Sequence, residues 1–177
     1  MPARQPLPML WLLSDARNDA ELERVLIELP QGSAFVFRHY HLEAGARRAR
    51  FNALCGLAQA YGHVVILSDN AGTAQKWGAD GVYGEAERLG PQGALLRLAT
   101  AHNSEELQAA EQAGVDGIFL SPVFPTRSHP GGETLGPLGF HVLAQQTSLP
   151  VIALGGMNPA RAEELDWPRW GAIDGLV

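Results

Sequence analysis

The sequence has 177 residues, of which 46% are hydrophobic and 18% charged, and this balance excludes a disordered or fibrous chain. Its 13 lysines and arginines against 19 aspartates and glutamates give a net charge of -6, which argues against a surface that binds nucleic acid. Any phosphate ligand would therefore need a local pocket. We expect a single domain over residues 1–177.

Two features of the sequence, its first apolar segment and its single cysteine, indicate the cellular compartment of the protein. The apolar segment Met9–Leu13 follows two prolines and is too short for a signal peptide or a membrane span. The single Cys55 cannot form an internal disulfide, which fits a reducing compartment. We therefore expect a cytoplasmic protein with no membrane partner and no nucleic-acid partner.

Short apolar runs alternate with longer amphipathic stretches, and this alternation predicts repeated strand–helix units. Most of the runs lack the polar alternation of a half-exposed sheet, so both faces of the strands should be buried. The predicted strands, in chain order, are Leu10–Leu13, Ala34–Phe37, Val64–Leu67, Gly81–Tyr83, Leu95–Ala99, Gly117–Leu120, Val151–Leu154 and Ile173–Val177.

Helices are predicted between most of these strands. Glu21, three residues after Asn18, indicates a capping box at the start of the first helix. The segment Gly84–Pro91 is too short and too rich in helix breakers for a helix, so one unit looks incomplete. The predicted helices are Asn18–Leu29, Ala44–Tyr61, Thr73–Trp77, Ser104–Ala113, Gly139–Thr147 and Pro159–Leu165.

One phrase recurs where a helix turns into the next strand. Gly-Ala-Asp-Gly-Val at Gly78–Val82 is echoed by Gly-Val-Asp-Gly-Ile at Gly114–Ile118 and by a variant at residues 171–176. Eight such units favour an α/β fold, a single (β/α)8 TIM barrel, over an open doubly wound sheet, whose dinucleotide fingerprint is missing. The eighth strand, predicted at the end of the sequence, leaves no room for the last helix. A neighbouring subunit or the N-terminal segment would have to cover the apolar flank that this leaves, and we expect a homodimer.

Polar residues follow the predicted strands at their C-terminal ends, where TIM barrels bind ligands. The strand and loop Gly117–Thr126 read GIFLSPVFPT and are followed by further donors and positive charge, which suits an anionic small molecule. Glycine amides can approach a phosphate closely. The residues expected at one mouth are Asp15, Arg38, His39, Ser68, Asp69, Thr100, His102, Ser121, Thr126, Arg127, Ser128, His129, Gly155 and Gly156.

Several of these residues admit two interpretations. Asp69 could be a ligand of a hard divalent cation bound with phosphates, or the N-cap of the helix that follows. His129 could contact phosphate or carry a proton, and His102 could support it with a hydrogen bond. His39 and His41 lie two residues apart but lack a third ligand nearby, which disfavours zinc.

Six segments resemble the thiamine phosphate synthase superfamily, which also includes the TenI-type thiazole tautomerases. They are WLLSDARN, FVFRHY, VILSDNAGTAQKWGADGVY, ATAHNSEEL, GIFLSPVFPTRSH and PVIALGGMNP, and they run through nearly the whole chain. The SPVFPT loop with the later Gly-Gly pair is the most specific element. The resemblance implies a TIM barrel that couples an aminopyrimidine methyl diphosphate to a thiazole phosphate, with release of pyrophosphate and use of Mg²⁺, in thiamine biosynthesis.

The resemblance also implies roles for individual residues. Arg38 would bind the diphosphate and, with His129, take part in catalysis. Asp69 corresponds to one of two magnesium carboxylates. Hydroxyls of Thr126 and Ser128 would face the thiazole phosphate. The full substrate-binding set is Arg38, Ser68, Thr100, Thr126, Ser128, His129 and Gly156.

The sequence departs from the family's pattern at several of its functional positions. Arg88 stands where the second magnesium carboxylate is expected, and it could neutralise diphosphate directly if its side chain points inward. His129 replaces a lysine that touches the diphosphate. The other changes are Val36 for glutamine, Tyr40 for lysine, Ser68 for asparagine, and Pro122 for the catalytic histidine of the tautomerases.

These departures leave alternatives to a transferase. A divergent member could be an isomerase or hydrolase that acts on a related heterocycle, with His129 or His102 as proton carrier. It could also be a barrel that binds a phosphorylated ligand without catalysis. In every case the expected partner is a small phosphorylated heterocycle.

Overall fold

The computed structural model describes residues 5–177 and contains a closed barrel of eight parallel strands in chain order. The first strand pairs with the second on one side and with the eighth on the other, which closes the ring. This confirms the predicted TIM barrel. The strands are β1 Leu10–Leu13, β2 Ala34–Phe37, β3 Val64–Leu67, β4 Gly81–Glu85, β5 Leu96–Ala101, β6 Gly117–Leu120, β7 Val151–Ala153 and β8 Trp170–Ala172.

Helices connect most successive strands on the outside of the barrel. Between β4 and β5 there is only a 3₁₀ helix, Ala86–Arg88, which confirms the incomplete unit. Along residues 5–177 no helix follows β8. The α-helices are α1 Leu22–Glu28, α2 Ala44–Ala60, α3 Ala71–Trp77, α4 Ser104–Ala113, α5 Gly136–Ala144 and α6 Pro159–Leu165.

The core has two layers, one inside the barrel and one between the strands and the helices. Inside the barrel, the ring of Phe119 makes edge contacts with Trp11 and Tyr83, each at a centroid distance of 5.2 Å. All four residues of β2 are fully buried, as the uninterrupted apolar run predicts. At Gly117 an added Cβ would lie 2.5 Å from Leu7, so the interior has no space for a side chain there.

The predicted eighth strand, Ile173–Val177, is wrong. The strand is Trp170–Ala172, where Trp170 pairs with Leu10 and Ala172 with Leu12 of β1. Its position follows from pairing with β1 and β7 across the closing seam, and not from the apolar character of the local run. Residues 173–177 therefore lie beyond the strand, at the mouth of the barrel.

The predicted capping box at Asn18 is also wrong. The segment begins as a 3₁₀ helix, Asp19–Glu21, and the Asn18 side chain makes no cap hydrogen bond. Its amide instead donates to the carbonyls of Leu13 at 2.9 Å and Ile173 at 3.0 Å. Buried Asn18 thus joins the end of β1 to the segment after β8 and helps to close the barrel at its mouth.

Candidate functional site

One large cavity lies at the C-terminal ends of the strands, with a volume of about 1450 Å³. Its wall includes all the residues for which the sequence predicts a substrate or metal contact. These are Arg38, Ser68, Asp69, Thr100, Thr126, Ser128, His129 and Gly156. The structure therefore brings the predicted set together, whereas the roles of its members stay predictions.

Arg38 lies directly after β2 and is held in place by the end of β1. Its Nε donates to the carbonyl of Ser14 at 2.9 Å, and its Nη2 donates to Asp15 at 3.0 Å. The side chain is 15% exposed at the cavity wall. Beside it, burial raises the pKa of Tyr83, so this hydroxyl is a neutral donor at neutral pH. Arg38 thus presents a fixed guanidinium to a ligand.

A buried chain of hydrogen bonds, which the sequence did not reveal, lies behind Arg38 on the side away from the cavity. His39 adopts a left-handed φ of 42°, which directs its ring away from the cavity and into the protein, where it is fully buried. Its Nδ1 lies 2.8 Å from the Ser14 hydroxyl and its Nε2 lies 2.6 Å from Asp19. Since the Ser14 hydroxyl also accepts from the backbone N–H of Arg38 at 2.7 Å, this chain supports Arg38 from below. The candidate site residue His39 does not line the cavity.

The chemical state of His39 follows from this geometry. Burial lowers the pKa of His39, and the hydrogen bond with Asp19 opposes that effect without overcoming it. A neutral ring that donates from Nε2 to Asp19 accepts the Ser14 hydroxyl at Nδ1. Burial raises the pKa of Asp19, but hydrogen bonds with His39 and Arg50 outweigh it, so the net shift is downward. Asp19 is therefore ionised at neutral pH and can accept the hydrogen bond from His39 Nε2.

Asp69, after β3, is not the N-cap of the following helix, so that interpretation is wrong. Asn70 is the cap and accepts from the backbone N–H of Thr73 at 2.8 Å. The Asp69 carboxylate accepts instead from Arg47 Nη1 at 2.8 Å and from the backbone N–H of Asn70 at 2.8 Å. Arg47 is a residue of α2 that no sequence motif had singled out.

Ser68 and Tyr40 form a second contact on this side of the mouth. The two hydroxyl oxygens are 2.5 Å apart, and the ring of Tyr40 lies 5.8 Å from the Arg38 guanidinium carbon. Both residues stand where the resemblance implies different side chains. They replace a cation and an amide with a pair of neutral hydroxyls next to Arg38.

The loop after β6 carries the predicted hydroxyls on the opposite side. It is fixed to the end of β7, because Val123 donates to the carbonyl of Leu154 and Phe124 to that of Gly155, each at 3.0 Å. The Thr126 hydroxyl accepts from the backbone N–H of Ser128 at 3.2 Å. Within the loop, an exposed His129 lines the cavity.

Two glycines follow β7 where the backbone comes close to this loop. Gly155 has a φ of 102° and Gly156 a φ of 63°. A Cβ added to Gly156 would lie 2.4 Å from the carbonyl oxygen of Pro125, and one on Gly155 would lie 2.5 Å from Pro122 Cα. Glycine is therefore required at both positions for the loops after β6 and β7 to meet.

A group of charged residues lies between β1, β6 and β8, and the sequence patterns had not indicated two of them, Arg17 and Asp174. Arg17 donates to the Ser128 hydroxyl at 3.2 Å and lies 3.4 Å from Asp174, while Arg127 lies 3.9 Å from the same carboxylate. All four residues line the cavity. Asp174 escaped notice because the misplaced eighth strand put it inside the sheet. Arg17 could have been found as a charged residue shortly after a strand.

Thr100 and His102 come from the end of β5. Thr100 lies within the strand and contributes to the cavity wall. His102 also lines the cavity, but its Nδ1 is 2.7 Å from Glu106 of the following helix. The His102 ring therefore contacts the helix that follows it, α4, and not another residue of the site.

Arg88 is among the residues that line the cavity, at its exposed rim. It is 81% exposed and lies 3.3 Å from Glu85, at the end of β4. The next residue, Leu89, is 1% exposed and anchors this short segment. The position at which the resemblance implies a second magnesium carboxylate is thus a cationic part of the mouth.

The residues at the ends of β3 and β4 do not fit the magnesium site that the resemblance implies. Asp69 is paired with Arg47, whose side chain is only 11% exposed, and Arg88 adds a second positive charge at the end of β4. Over residues 5–177 no group of three or more histidines, cysteines or carboxylates is placed to hold a metal ion. A cation would need to displace these arginines or bind beside them, which Coulomb repulsion disfavours.

None of the helices in residues 5–177 is long and apolar enough to cross a lipid bilayer.

Comparisons with known proteins agree with the fold. The family model described as thiamine monophosphate synthase matches residues 10–167. The chain is 30% identical to a thiamine-phosphate synthase of Xanthomonas campestris over 175 residues, which cover 93% of this chain and 84% of that protein. It is 29% identical to the thiamine-phosphate synthase of Geobacillus thermodenitrificans, over 88% of this chain and 76% of that one.

A solved structure shows the same fold. The thiamine phosphate pyrophosphorylase of Pyrococcus furiosus superposes with a TM-score of 0.77 at 22% identity, covering 94% of this chain and 85% of that one. The family match spans most of the barrel, from β1 to the end of α6. This chain is therefore a member of the thiamine monophosphate synthase family.

Proposed function

We propose that this protein is a thiamine-phosphate synthase, a transferase that couples an aminopyrimidine methyl diphosphate to a thiazole phosphate and releases pyrophosphate. One observation carries the proposal. The Arg38 guanidinium after β2, and hydroxyls and glycine backbone in the loops after β6 and β7, line a single cavity of about 1450 Å³, a volume that suits two small substrates. The names of the relatives at about 30% identity support the same activity.

The diphosphate would lie on the β2 side of the cavity. As the bond between the pyrimidine methylene and the diphosphate breaks, negative charge builds up on the leaving group. Arg38, which Ser14 and Asp15 hold in a fixed orientation, would stabilise this charge without having to reorganise. Thr100 and the paired hydroxyls of Ser68 and Tyr40 would add neutral hydrogen-bonding groups.

The thiazole phosphate would lie on the opposite side, at the loops after β6 and β7. Thr126 and Ser128 offer hydroxyls there, and Gly156 brings its backbone close to the cavity without a side chain. Arg17 already donates to Ser128 and would supply positive charge to the phosphate. His129 would contact phosphate or carry a proton between the two substrates.

We also propose that the protein works in the cytoplasm as a homodimer. The lone cysteine supports the first of these, because Cys55 is free and buried and so requires no oxidising compartment. Sedimentation at micromolar concentration tests the second, and a monomer would contradict it.

A direct assay tests the reaction. Purified protein is incubated with both substrates, with Mg²⁺ and separately with EDTA, and thiamine phosphate and pyrophosphate are measured. We expect the two products in equal amounts in at least one condition. No product in either condition, even with enzyme equimolar to substrate, would reject a transferase.

A binding measurement then separates the remaining possibilities. Thermal unfolding is followed with pyrophosphate, thiazole phosphate or thiamine phosphate present. A ligand at a hundred times its dissociation constant stabilises the folded state by about 2.7 kcal/mol. Stabilisation without turnover would identify a barrel that binds a phosphorylated ligand without catalysis, or one that acts on another heterocycle.

A further inference from the structure

We propose that the diphosphate group is bound in this cavity by arginines, Arg38 and Arg88 above all, and that its binding requires no divalent cation. This inference rests on the proposed function, because it concerns the diphosphate side of the same site. It reverses the expectation of a magnesium-dependent site that the family resemblance raised.

The carboxylate that would hold a cation is already engaged. The Asp69 side chain accepts from Arg47 Nη1 at 2.8 Å. Arg47 is itself fixed, because its Nε donates to the carbonyl of Arg38 at 3.0 Å and its Nη2 to that of Ser68 at 2.9 Å. It also lies over the ring of Trp77 at 5.7 Å and is only 11% exposed. A cation at Asp69 would face this buried guanidinium, which three hydrogen bonds hold in place.

At the position where the family resemblance implies a second magnesium carboxylate, this protein has the positively charged Arg88. Arg88 lines the cavity on the segment after β4, next to the end of β3 that carries Asp69. It pairs with Glu85 at 3.3 Å, and both side chains are more than 70% exposed. Exposed pairs of this kind contribute little and exchange readily. Arg88 can therefore turn from Glu85 to an anionic ligand.

Arg38 supplies the second positive charge. Its hydrogen bonds to Ser14 and Asp15 use two of the five N–H groups of a guanidinium. Arg38 follows β2 and Arg88 lies in the segment after β4, so the two residues are on either side of β3 at the mouth of the barrel. Two planar guanidinium groups suit a diphosphate because each can donate two hydrogen bonds to phosphate oxygens.

Calorimetric titration with inorganic pyrophosphate tests the inference, once in EDTA and once in millimolar Mg²⁺. We expect binding in EDTA that is as tight as binding with Mg²⁺ or tighter, because Mg²⁺ withdraws charge from the free ligand. If Mg²⁺ tightens binding by about tenfold or more, or if there is no binding in EDTA, the inference is overturned. A smaller or opposite effect of Mg²⁺ supports it.

Two variants of Arg88 sharpen the test. In EDTA, Arg88→Ala should weaken pyrophosphate binding by about tenfold, as expected for a lost charge-assisted contact. Arg88→Asp reverses the charge at this position and should weaken pyrophosphate binding in EDTA by more than Arg88→Ala does. Arg24→Ala is the matched control, because it removes the same charge from the outer surface of α1, where Arg24 pairs with Glu21 and Glu28. Wild-type affinity in Arg88→Ala would remove Arg88 from the proposal.

The inference and the proposed function can fail separately. If pyrophosphate binds only with Mg²⁺ while thiamine phosphate forms in the assay, the inference fails and the transferase stands. If pyrophosphate binds equally well in EDTA but no product forms in either buffer, the arginine site stands and the transferase fails.

Discussion

Arg38 shows how a single side chain is prepared for its role by its neighbours. The carbonyl of Ser14 and the carboxylate of Asp15 fix the guanidinium, and the Ser14 hydroxyl fixes the Arg38 backbone. Its removal should therefore cost a preformed charge-assisted contact of about 1.5–3 kcal/mol. We expect Arg38→Ala to weaken pyrophosphate binding by about tenfold or more in calorimetric titration. Unchanged affinity would exclude Arg38 from the site.

Gly156 allows a second prediction at the same scale. Its φ of 63° and a Cβ that would lie 2.4 Å from the Pro125 carbonyl make Gly156→Ala unfavourable for two reasons. Gly136→Ala is the matched control, because its φ is 64° and nothing lies within 4 Å of the added Cβ. Each variant should lose about 1–2 kcal/mol for the left-handed backbone, and Gly156→Ala should lose more on chemical denaturation. Equal losses would show that the loops after β6 and β7 can separate without cost.

Single residues differ in how well the sequence revealed them. Arg38 and Thr126 could be found because each follows an apolar run that is recognisable as a strand. Arg47 could not, because it belongs to a helix and reaches Asp69 only when α2 packs beside β2 and β3. Asp174 was missed since its role depends on where β8 ends.

At the scale of elements, α2 ties the segment after β1 to the rest of the barrel. Arg50 donates to Asp19 from Nε at 2.8 Å and also pairs with Glu23, while Asp19 holds the buried ring of His39. The side-chain hydrogen bond with Glu23 is the main cause that raises the pKa of Arg50, which therefore stays charged. The entry to α1 and the start of α2 are thus joined through one carboxylate.

This junction predicts a dependence of stability on pH. Burial lowers the pKa of His39 below its ordinary value of 6.5, so the unfolded chain takes up a proton before the folded protein does. His39 therefore contributes its full stability above about pH 6.5 and loses it as pH falls through and below that value. Asp19, whose pKa is lowered, stays ionised in this range.

The measurement is the free energy of unfolding in urea from about pH 7.5 down to about pH 5. We expect a decline in the wild type and a shallower decline in His39→Asn. Asparagine removes the titrating ring and tolerates the left-handed φ of 42° at this position. His41 and Arg50 also face the ring and are unchanged in both proteins. Parallel pH profiles would contradict the assignment of a neutral His39.

Elements were predicted well where local pattern and tertiary environment agree. The bounds of β1, β2, β3 and β6 are as predicted, because each is an uninterrupted apolar run that the barrel buries on both faces. Helix α5 begins three residues earlier than predicted, at Gly136, and ends at Ala144. The loop before it determines that start, since Gly136 donates to the carbonyl of Val123 at 2.9 Å.

At the scale of the whole molecule, Cys55 reports on the opening of the barrel. The thiol lies on α2 against the core at 6% exposure, and burial raises its pKa to about 11. Labelling of Cys55 by a thiol reagent at neutral pH should be at least about a hundredfold slower in the native protein than in denaturant, because the thiolate is the reactive form. Labelling at comparable rates would show that α2 separates from the barrel without global unfolding.

The sequence by itself determined seven of the eight strands, the closed α/β barrel and the mouth at which polar residues gather, because apolar runs and turn residues act over a few neighbouring positions. Only the tertiary structure decided that Arg47 forms an ion pair with Asp69, that Asp174 lines the cavity, and that His39 is buried behind Arg38. These are contacts between elements distant in sequence. They depend on strand register and helix packing, which no local pattern specifies.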